Sequence, residues 1–510
     1  MKINILQYLE GSIRKVPDKI AFTDQHNQIT YKALGQKSKR IGSEIYRKTN
    51  GQIRQPIVVF VDRNIESLVA FMAVAYSGNF YVPIDIKTPK GRVELILETL
   101  QPLAVIVTKE SKSLSEKVAQ NLIAIDYEIN AKEGIIDENI LGVIRNKIID
   151  KDPIYATFTS GSTGIPKGVL TCHQSVVDMT EALCETFDFS EENVFGNQNP
   201  FYFDASIKDI YSTLKCGATM HILPKAYFIM LGDLVNYIVD HKVDTILWSA
   251  AAIALLANSQ AFDDKKPNTL KNVMFSGEVM HNKVLNYWRE NLPNTKFVNL
   301  YGPTEITSVC TYFKIKKSYK DDDVLPIGIP FRNCDVLILN DDNKLVRGDE
   351  IGELCVKGSC LALGYYNNAE KTTEAFCQNP LNLSFPELIY RTGDIAKFNE
   401  FGDVMFVSRK DNQVKHMGQR VEIGEIEIIL NAMGKIDASI CFYDHKLQKI
   451  VGIFQGEDAD SKYIYTELRD KVPKFMFPNI LIKQAGLPYS MNGKIDRSLL
   501  KEQYEKNILN

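Results

Sequence analysis

Apolar residues recur along the chain in two rhythms. After Ile29-Thr30-Tyr31, the residues Leu34, Ile41 and Ile45 fall on one helical face and predict an amphipathic packing helix within 28–49. The unbroken run Ile57 to Val61 has strand length, and Leu68 to Ala75 predicts an apolar helix closing near Gly78. Tyr81 to Asp85 predicts a strand that stops at Pro83, because proline brings no N–H to a ladder. Val93 to Leu100 then reads as a helix, Ala104 to Val107 as a strand, and His173 to Thr186 as a helix. Thr245 to Trp248 and Asn272 to Phe275 read as buried strands, with small β elements at Ile351 to Gly358 and Gly364 to Tyr366. Strands alternating with helices over this length predict an α/β fold with doubly wound, parallel or mixed sheets.

Length changes that picture, since 510 residues exceed one ordinary core and imply a large domain with a smaller one. A net charge of −3 provides no footprint for nucleic acid. No apolar run reaches membrane-spanning length, and Met1 to Gln7 lacks the apolar core of a signal peptide. The expectation is a cytoplasmic chain with no membrane insertion. Nine scattered cysteines without metal-type spacing suit reduced, mostly buried thiols, Cys355 and Cys360 being the nearest pair in sequence.

The densest chemistry lies in Thr157-Phe158-Thr159-Ser160-Gly161-Ser162-Thr163-Gly164-Ile165-Pro166-Lys167-Gly168. Hydroxyls, glycines and a lysine after the apolar run Ile154 to Ala156 suit a loop that wraps a polyphosphate. A Walker loop would need Ser or Thr after its lysine, whereas Gly168 follows Lys167. A mobile Ser/Gly linker is the bland alternative, disfavoured by Pro166-Lys167 between strand-like runs.

This loop resembles the phosphate loop of adenylate-forming enzymes, the superfamily of acyl-coenzyme A synthetases, luciferases and nonribosomal adenylation domains, and further likenesses follow in order along nearly the whole chain. The resemblance implies a large N-terminal domain, 1–410, with doubly wound sheets and a small β subdomain. A smaller α+β domain, 411–510, would follow a hinge at Asp411. It implies ATP and Mg²⁺ as cofactors, held by Thr159, Ser160, Gly161, Ser162, Thr163, Gly164 and Lys167. Asn299-Leu300-Tyr301-Gly302-Pro303-Thr304-Glu305 is a second match. Asn299, Tyr301 and Gly302 would meet the nucleotide, Tyr301 with an aromatic face for adenine, and Thr304 the α-phosphate. Glu305 would hold the metal, since magnesium is commonly bound by one or two carboxylates plus phosphate oxygens. Thr159, Thr304, Glu305 and Lys494 form the expected catalytic set. In Tyr390-Arg391-Thr392-Gly393-Asp394, the aspartate after a tight turn would accept both ribose hydroxyls, with Arg409 near the nucleotide.

Phe203-Asp204-Ala205-Ser206 is the substrate-side likeness, and Ile207, Ile210, Tyr211 and Leu214 behind it predict a helix from about Ala205. In amino-acid-activating members the aspartate here binds the substrate's α-ammonium; on residues alone Asp204 is equally a helix N-cap. A carboxylate about 4 Å from an ammonium gains several kcal/mol at intermediate dielectric. Lys208 either lines the side-chain pocket, where it would suit an acidic or hydrogen-bonding substrate, or pairs with Asp204 at i, i+4, or is simply solvated. By the same resemblance Ala205, Leu247, Met274, Ser276, Gly277, Leu300, Ser308 and Val309 would contribute to the substrate pocket. Ser276-Gly277-Glu278-Val279 is similar to stand-alone D-alanine:carrier-protein ligases, with Ser276 where those have cysteine. Gln419 to Glu427 reads as a helix start, and a second small-domain helix falls near Tyr463 to Lys471. Asn492-Gly493-Lys494 is a turn signal that displays Lys494 at a loop tip, where the family's lysine bridges carboxylate and α-phosphate.

The expected activity is ATP-dependent formation of an aminoacyl-adenylate, then transfer to the phosphopantetheine thiol of a separate carrier protein, because no carrier motif follows Lys494. The rivals are an acyl-coenzyme A synthetase for a non-amino acid and a catalytically silent nucleotide-binding regulator.

Overall fold

The computed structural model describes residues 2–160, 165–321, 323–410, 413–488 and 495–508. Two compact units result, one of residues 1–87, 97–158 and 168–410, the other of 88–96, 159–167 and 411–510. The fold class is mixed α/β.

Among the described residues the first unit carries three sheets. The largest orders its strands as Ile329–Pro330, Thr311–Ile315, Lys296–Tyr301, Asn272–Ser276, Thr245–Ser249, Val194–Asn197, Thr219–Ile222, Ile20–Thr23 and Gln28–Thr30. Its centre is parallel and both flanks are antiparallel. The second sheet runs from Gly364–Tyr365 through Lys167–Cys172, Pro153–Thr159, Phe80–Asp85, Pro56–Val61 and Ala104–Val107 to Ile123–Asp126. One apolar core takes Ile57 and Val59 from the second sheet, Leu247, Met274 and Val298 from the first, and helices between them. Helix Ile65–Tyr76, apolar all round, is accordingly buried along nearly its whole length. Tyr81 and Tyr211 meet hydroxyl to hydroxyl at 2.9 Å, tying the second sheet to helix Ile207–Cys216. The third sheet is antiparallel and contains Cys334–Leu339, Gly352–Gly358, Leu388–Phe398, Phe376–Gln378 and Val404–Arg409.

In the second unit, Ala438–Asp444, Lys449–Gln455 and Ile480–Lys483 form a sheet against helices Ile423–Asn431 and Ser461–Arg469. Its charged centre is a pair between Arg92 and Glu425 at 2.6 Å, with side chains 9% and 1% exposed.

Three local expectations need correction. The strand Phe80–Asp85 continues through Pro83, which pairs with Val59. Its other flank meets Pro153–Thr159 only at Tyr81 and Tyr155, so a missing N–H beyond that point costs no ladder bond. Residues Gln419–Glu422 form a strand with Gln413–His416, and the helix starts only at Ile423. Met417 and Gly418 both have positive φ, the geometry of a two-residue hairpin turn. Asp394 follows no tight turn but lies inside the strand Leu388–Phe398, where register slips against Gly352–Gly358 and Gly393 takes φ +72°. All nine cysteines are free thiols, six of them buried.

Candidate active site

The first unit assembles two polar clusters at strand ends. The first is built on Lys296–Tyr301 and on the third sheet. The Tyr301 hydroxyl donates to Asp394 Oδ2, and Arg409 Nη1 donates to Asp394 Oδ1 at 2.7 Å. Strand pairing sets this up, because Asp394 lies opposite Arg409 in register. Asp394 is 6% exposed, and desolvation followed by its negative charge pushes the Tyr301 phenol well above its ordinary value. The carboxylate has about four lone-pair directions, so these two donors leave acceptor capacity for a diol. Asn299 is turned to the Pro326 carbonyl at 2.9 Å.

After Tyr301 the backbone folds back on itself. A Cβ on Gly302 would stand 2.6 Å from both the Ser308 carbonyl oxygen and the Val309 Cα, so only glycine fits. Thr304 opens the short helical turn Thr304–Ile306, and Thr307 and Ser308 then take φ of +60° and +75° in succession. Two such residues in a row, one β-branched, store strain of a kind that collects at ligand sites. Thr307 is held there by its hydroxyl, which donates to the Cys360 carbonyl at 2.8 Å. Glu305 is fully buried and accepts from the Tyr365 hydroxyl at 2.8 Å. A carboxylate oriented by a neighbour in this way suits a magnesium ion. Among the described residues no group of three or more His, Cys, Asp or Glu is placed to hold a metal ion.

The second cluster sits where Asn272–Ser276 and Thr245–Ser249 end, side by side and parallel. Lys208 is 1% exposed, and its ammonium donates to Ser276 Oγ at 3.1 Å. Asp204 opens the turn Asp204–Ser206 that leads into helix Ile207–Cys216. The N-cap position of that helix is Ser206, so the capping role does not belong to Asp204. The Asp204 charge acts on the fully buried Tyr155 hydroxyl, second to desolvation in holding that phenol protonated. Ala205 shares the Asp204 turn. Leu247, Met274, Leu300 and Val309 all belong to the buried apolar core. Ser308 is buried, while Gly277 takes φ +103° beside open space.

The second unit contains Thr159, Ser160 and Lys167. Ser160 Oγ donates to the Arg420 carbonyl at 3.0 Å and accepts from the Glu422 N–H at 3.2 Å. Thr159 Oγ1 is buried with no hydrogen-bond partner among the described residues. Gly161, Ser162, Thr163, Gly164, Asp411 and Lys494 lie outside the described residues.

Residue pattern alone missed the supporting groups. Tyr365 sat in a stretch read as a small β element, and Tyr155 in one read as a strand. Beneath Lys208, Asp209 accepts from Asn197 Nδ2 at 2.7 Å, and Arg63 donates to the Asn197 carbonyl at 2.7 Å. Nothing around Arg63 in sequence signals this. His173 is buried, and its Nδ1 accepts from the Ile5 N–H at 3.4 Å.

Comparison with known proteins gives these clusters a context. The model of the AMP-binding enzyme family matches residues 9–366. Bacitracin synthase 1 of Bacillus licheniformis is 31% identical over 97% of this chain, which spans only 9% of that protein's length. The D-alanine--D-alanyl carrier protein ligase of Bacillus cereus (strain G9842) is 30% identical over 98% of this chain and 99% of its own. The Vibrio cholerae adenylation domain AlmE, solved in complex with glycyl-adenosine-5'-phosphate, superposes with a TM-score of 0.80 at 19% identity, covering 99% of this chain and 98% of that one. Among the described residues no helix is long and apolar enough to cross a membrane. On the extent of these matches, the chain belongs to the AMP-binding enzyme family.

Proposed function

We propose that the protein activates an amino acid with ATP, forming an aminoacyl-adenylate and pyrophosphate, and passes the aminoacyl group to the phosphopantetheine thiol of a separate carrier protein. The observation that carries this reading is Asp204, an acidic side chain on the first turn of a helical stretch whose next turn bears Lys208 at a strand end. The end-to-end likeness to a carrier-protein ligase supports it.

In this reading Asp394 accepts the ribose hydroxyls, with Tyr301 and Arg409 fixing its orientation and Tyr301 presenting its ring to adenine. Thr159, Ser160, Gly161, Ser162, Thr163, Gly164 and Lys167 are the phosphate-binding residues of this reading, and Thr304 serves the α-phosphate. Glu305 would hold magnesium, which when bound would neutralise charge on the phosphate oxygens. Asp204 anchors the α-ammonium, so the substrate carboxylate is aimed at the α-phosphorus, and in-line attack releases pyrophosphate. Lys494 supplies positive charge between two anions that otherwise repel. Rotation about Asp411 then withdraws Lys494, and a thiolate attacks the mixed anhydride with AMP leaving. The chain's cytoplasmic location belongs to the same proposal.

The test is amino-acid-dependent exchange of pyrophosphate into ATP, followed by loading of a phosphopantetheinylated carrier. Exchange with AMP as the nucleotide product supports the reading. ADP production, coenzyme A as the sole acceptor for a non-amino acid, or nucleotide binding without exchange overturns it.

A further inference from the structure

The second cluster holds more than an ammonium anchor. Asp204 and Lys208 are four residues apart on one helical stretch, so their side chains leave it on the same side. Lysine is among the residues least often buried, yet Lys208 is 1% exposed and directed at Ser276 Oγ, 3.1 Å away. Ser276 ends a parallel strand next to Ser249, and parallel strand ends are where doubly wound sheets receive ligands. The next residue, Gly277, adjoins open space: a Cβ there would meet nothing within 4 Å.

The residue after Lys208 anchors their helix. Asp209 is fully buried and tied to Asn197, and Arg63 holds Asn197 through both its carbonyl (2.7 Å) and its side-chain oxygen (3.3 Å). Burial pushes the Asp209 carboxyl up to about 7, against the hydrogen bond from Asn197 and the attraction of Lys208 and Arg63. The helix that bears Lys208 is thus tied to the end of strand Val194–Asn197.

We propose that the amino acid taken here carries an acidic side chain, with Asp204 receiving its α-ammonium and Lys208, assisted by the Ser276 hydroxyl, receiving its side-chain carboxylate. This rests on the amino-acid-activation reading above. One negative and one positive group on the same face match a ligand that presents an ammonium and, a few ångströms away, a carboxylate. An aliphatic side chain adds no acceptor to those Lys208 already has and pushes methylenes against its ammonium, which is a strong basis for rejection. The α-carboxylate is spoken for by the reaction itself, so the second anion is that of the side chain.

A wild-type pyrophosphate-exchange panel of aspartate, glutamate, asparagine, glutamine, alanine and leucine, in both stereochemical forms, tests this without any variant. The expected result is a kcat/KM for an acidic member about 100-fold above its amide. Lys208→Met removes that preference mainly through the amino-acid KM, leaving the ATP KM unchanged, and Lys208→Glu moves preference toward ornithine and lysine. Ser276→Ala costs about 10-fold for the acidic substrate. Thermal stabilisation by ATP shows that each variant remains folded. Exchange with alanine, leucine or an amide ahead of the acids overturns the side-chain proposal and leaves amino-acid activation standing, as does a Lys208→Met enzyme that still prefers acids. Exchange with no amino acid overturns both.

Discussion

The two clusters of the first unit solve opposite problems. Around Asp394 the charge is already matched within the protein: Arg409 stands at 2.7 Å and the Tyr301 hydroxyl closes the other oxygen. Such an arrangement is rigid and offers its remaining lone pairs to a neutral diol. Around Asp204 and Lys208 opposite charges are set at separate points of one helical stretch, a pattern suited to a zwitterionic or acidic ligand. In the proposed reading the first is a nucleotide site, which can be the same for every substrate, whereas the second must discriminate.

Perturbing each side should therefore leave different signatures. The largest effect is expected for Lys494→Ala, which should slow adenylation by about 10³-fold while preformed adenylate still transfers to a thiol, measured by exchange and by single-turnover loading. Equal loss in both half-reactions would contradict the proposed hinge at Asp411. Asp394→Asn should lower kcat/KM for ATP about 100-fold, because Arg409 and Tyr301 lose the anion they orient. Smaller in range, Gly302→Ala forces the Ser308 and Val309 backbone apart and should cost about 1–3 kcal/mol of stability, read by denaturant titration.

The smallest effect concerns pH and neither cluster. Burial lowers the His173 pKa to about 3, so from there to its ordinary 6.5 the unfolded chain binds a proton that the native state refuses. Its contribution to stability is complete above 6.5 and declines as pH falls, by about 1.4 kcal/mol per pH unit. Denaturation at pH 7 and pH 5 should show a smaller acid loss for His173→Gln than for the wild type.

Much of the architecture was legible because the chain's apolar rhythm is local. Helix Tyr31–Lys48 and strand Ala104–Val107 follow directly from spacing and side-chain type. Errors came where pairing partners decide. Pro83 stays in its strand because one flank is nearly bare beyond Tyr81, and Gln419–Glu422 becomes a strand because Val421 lies opposite Val414. Asp394 looked like a turn residue because Gly393 precedes it; a register slip across two strands yields the same positive φ without a turn. The site was legible to the extent that motif residues such as Tyr301, Glu305 and Asp394 stand in short strings. Their orienting groups come from distant sequence, as with Tyr365 on Glu305 and Arg63 on Asn197, and no spacing rule finds those.

The contrast between the clusters can be measured in one pair of variants. Steady-state pyrophosphate exchange with Asp204→Asn and Asp394→Asn, each over a grid of ATP and amino-acid concentrations, separates the two binding constants. The account predicts that Asp204→Asn raises the amino-acid KM about 100-fold with the ATP KM unchanged, and that Asp394→Asn does the reverse. Parallel shifts of both constants in both variants would contradict it.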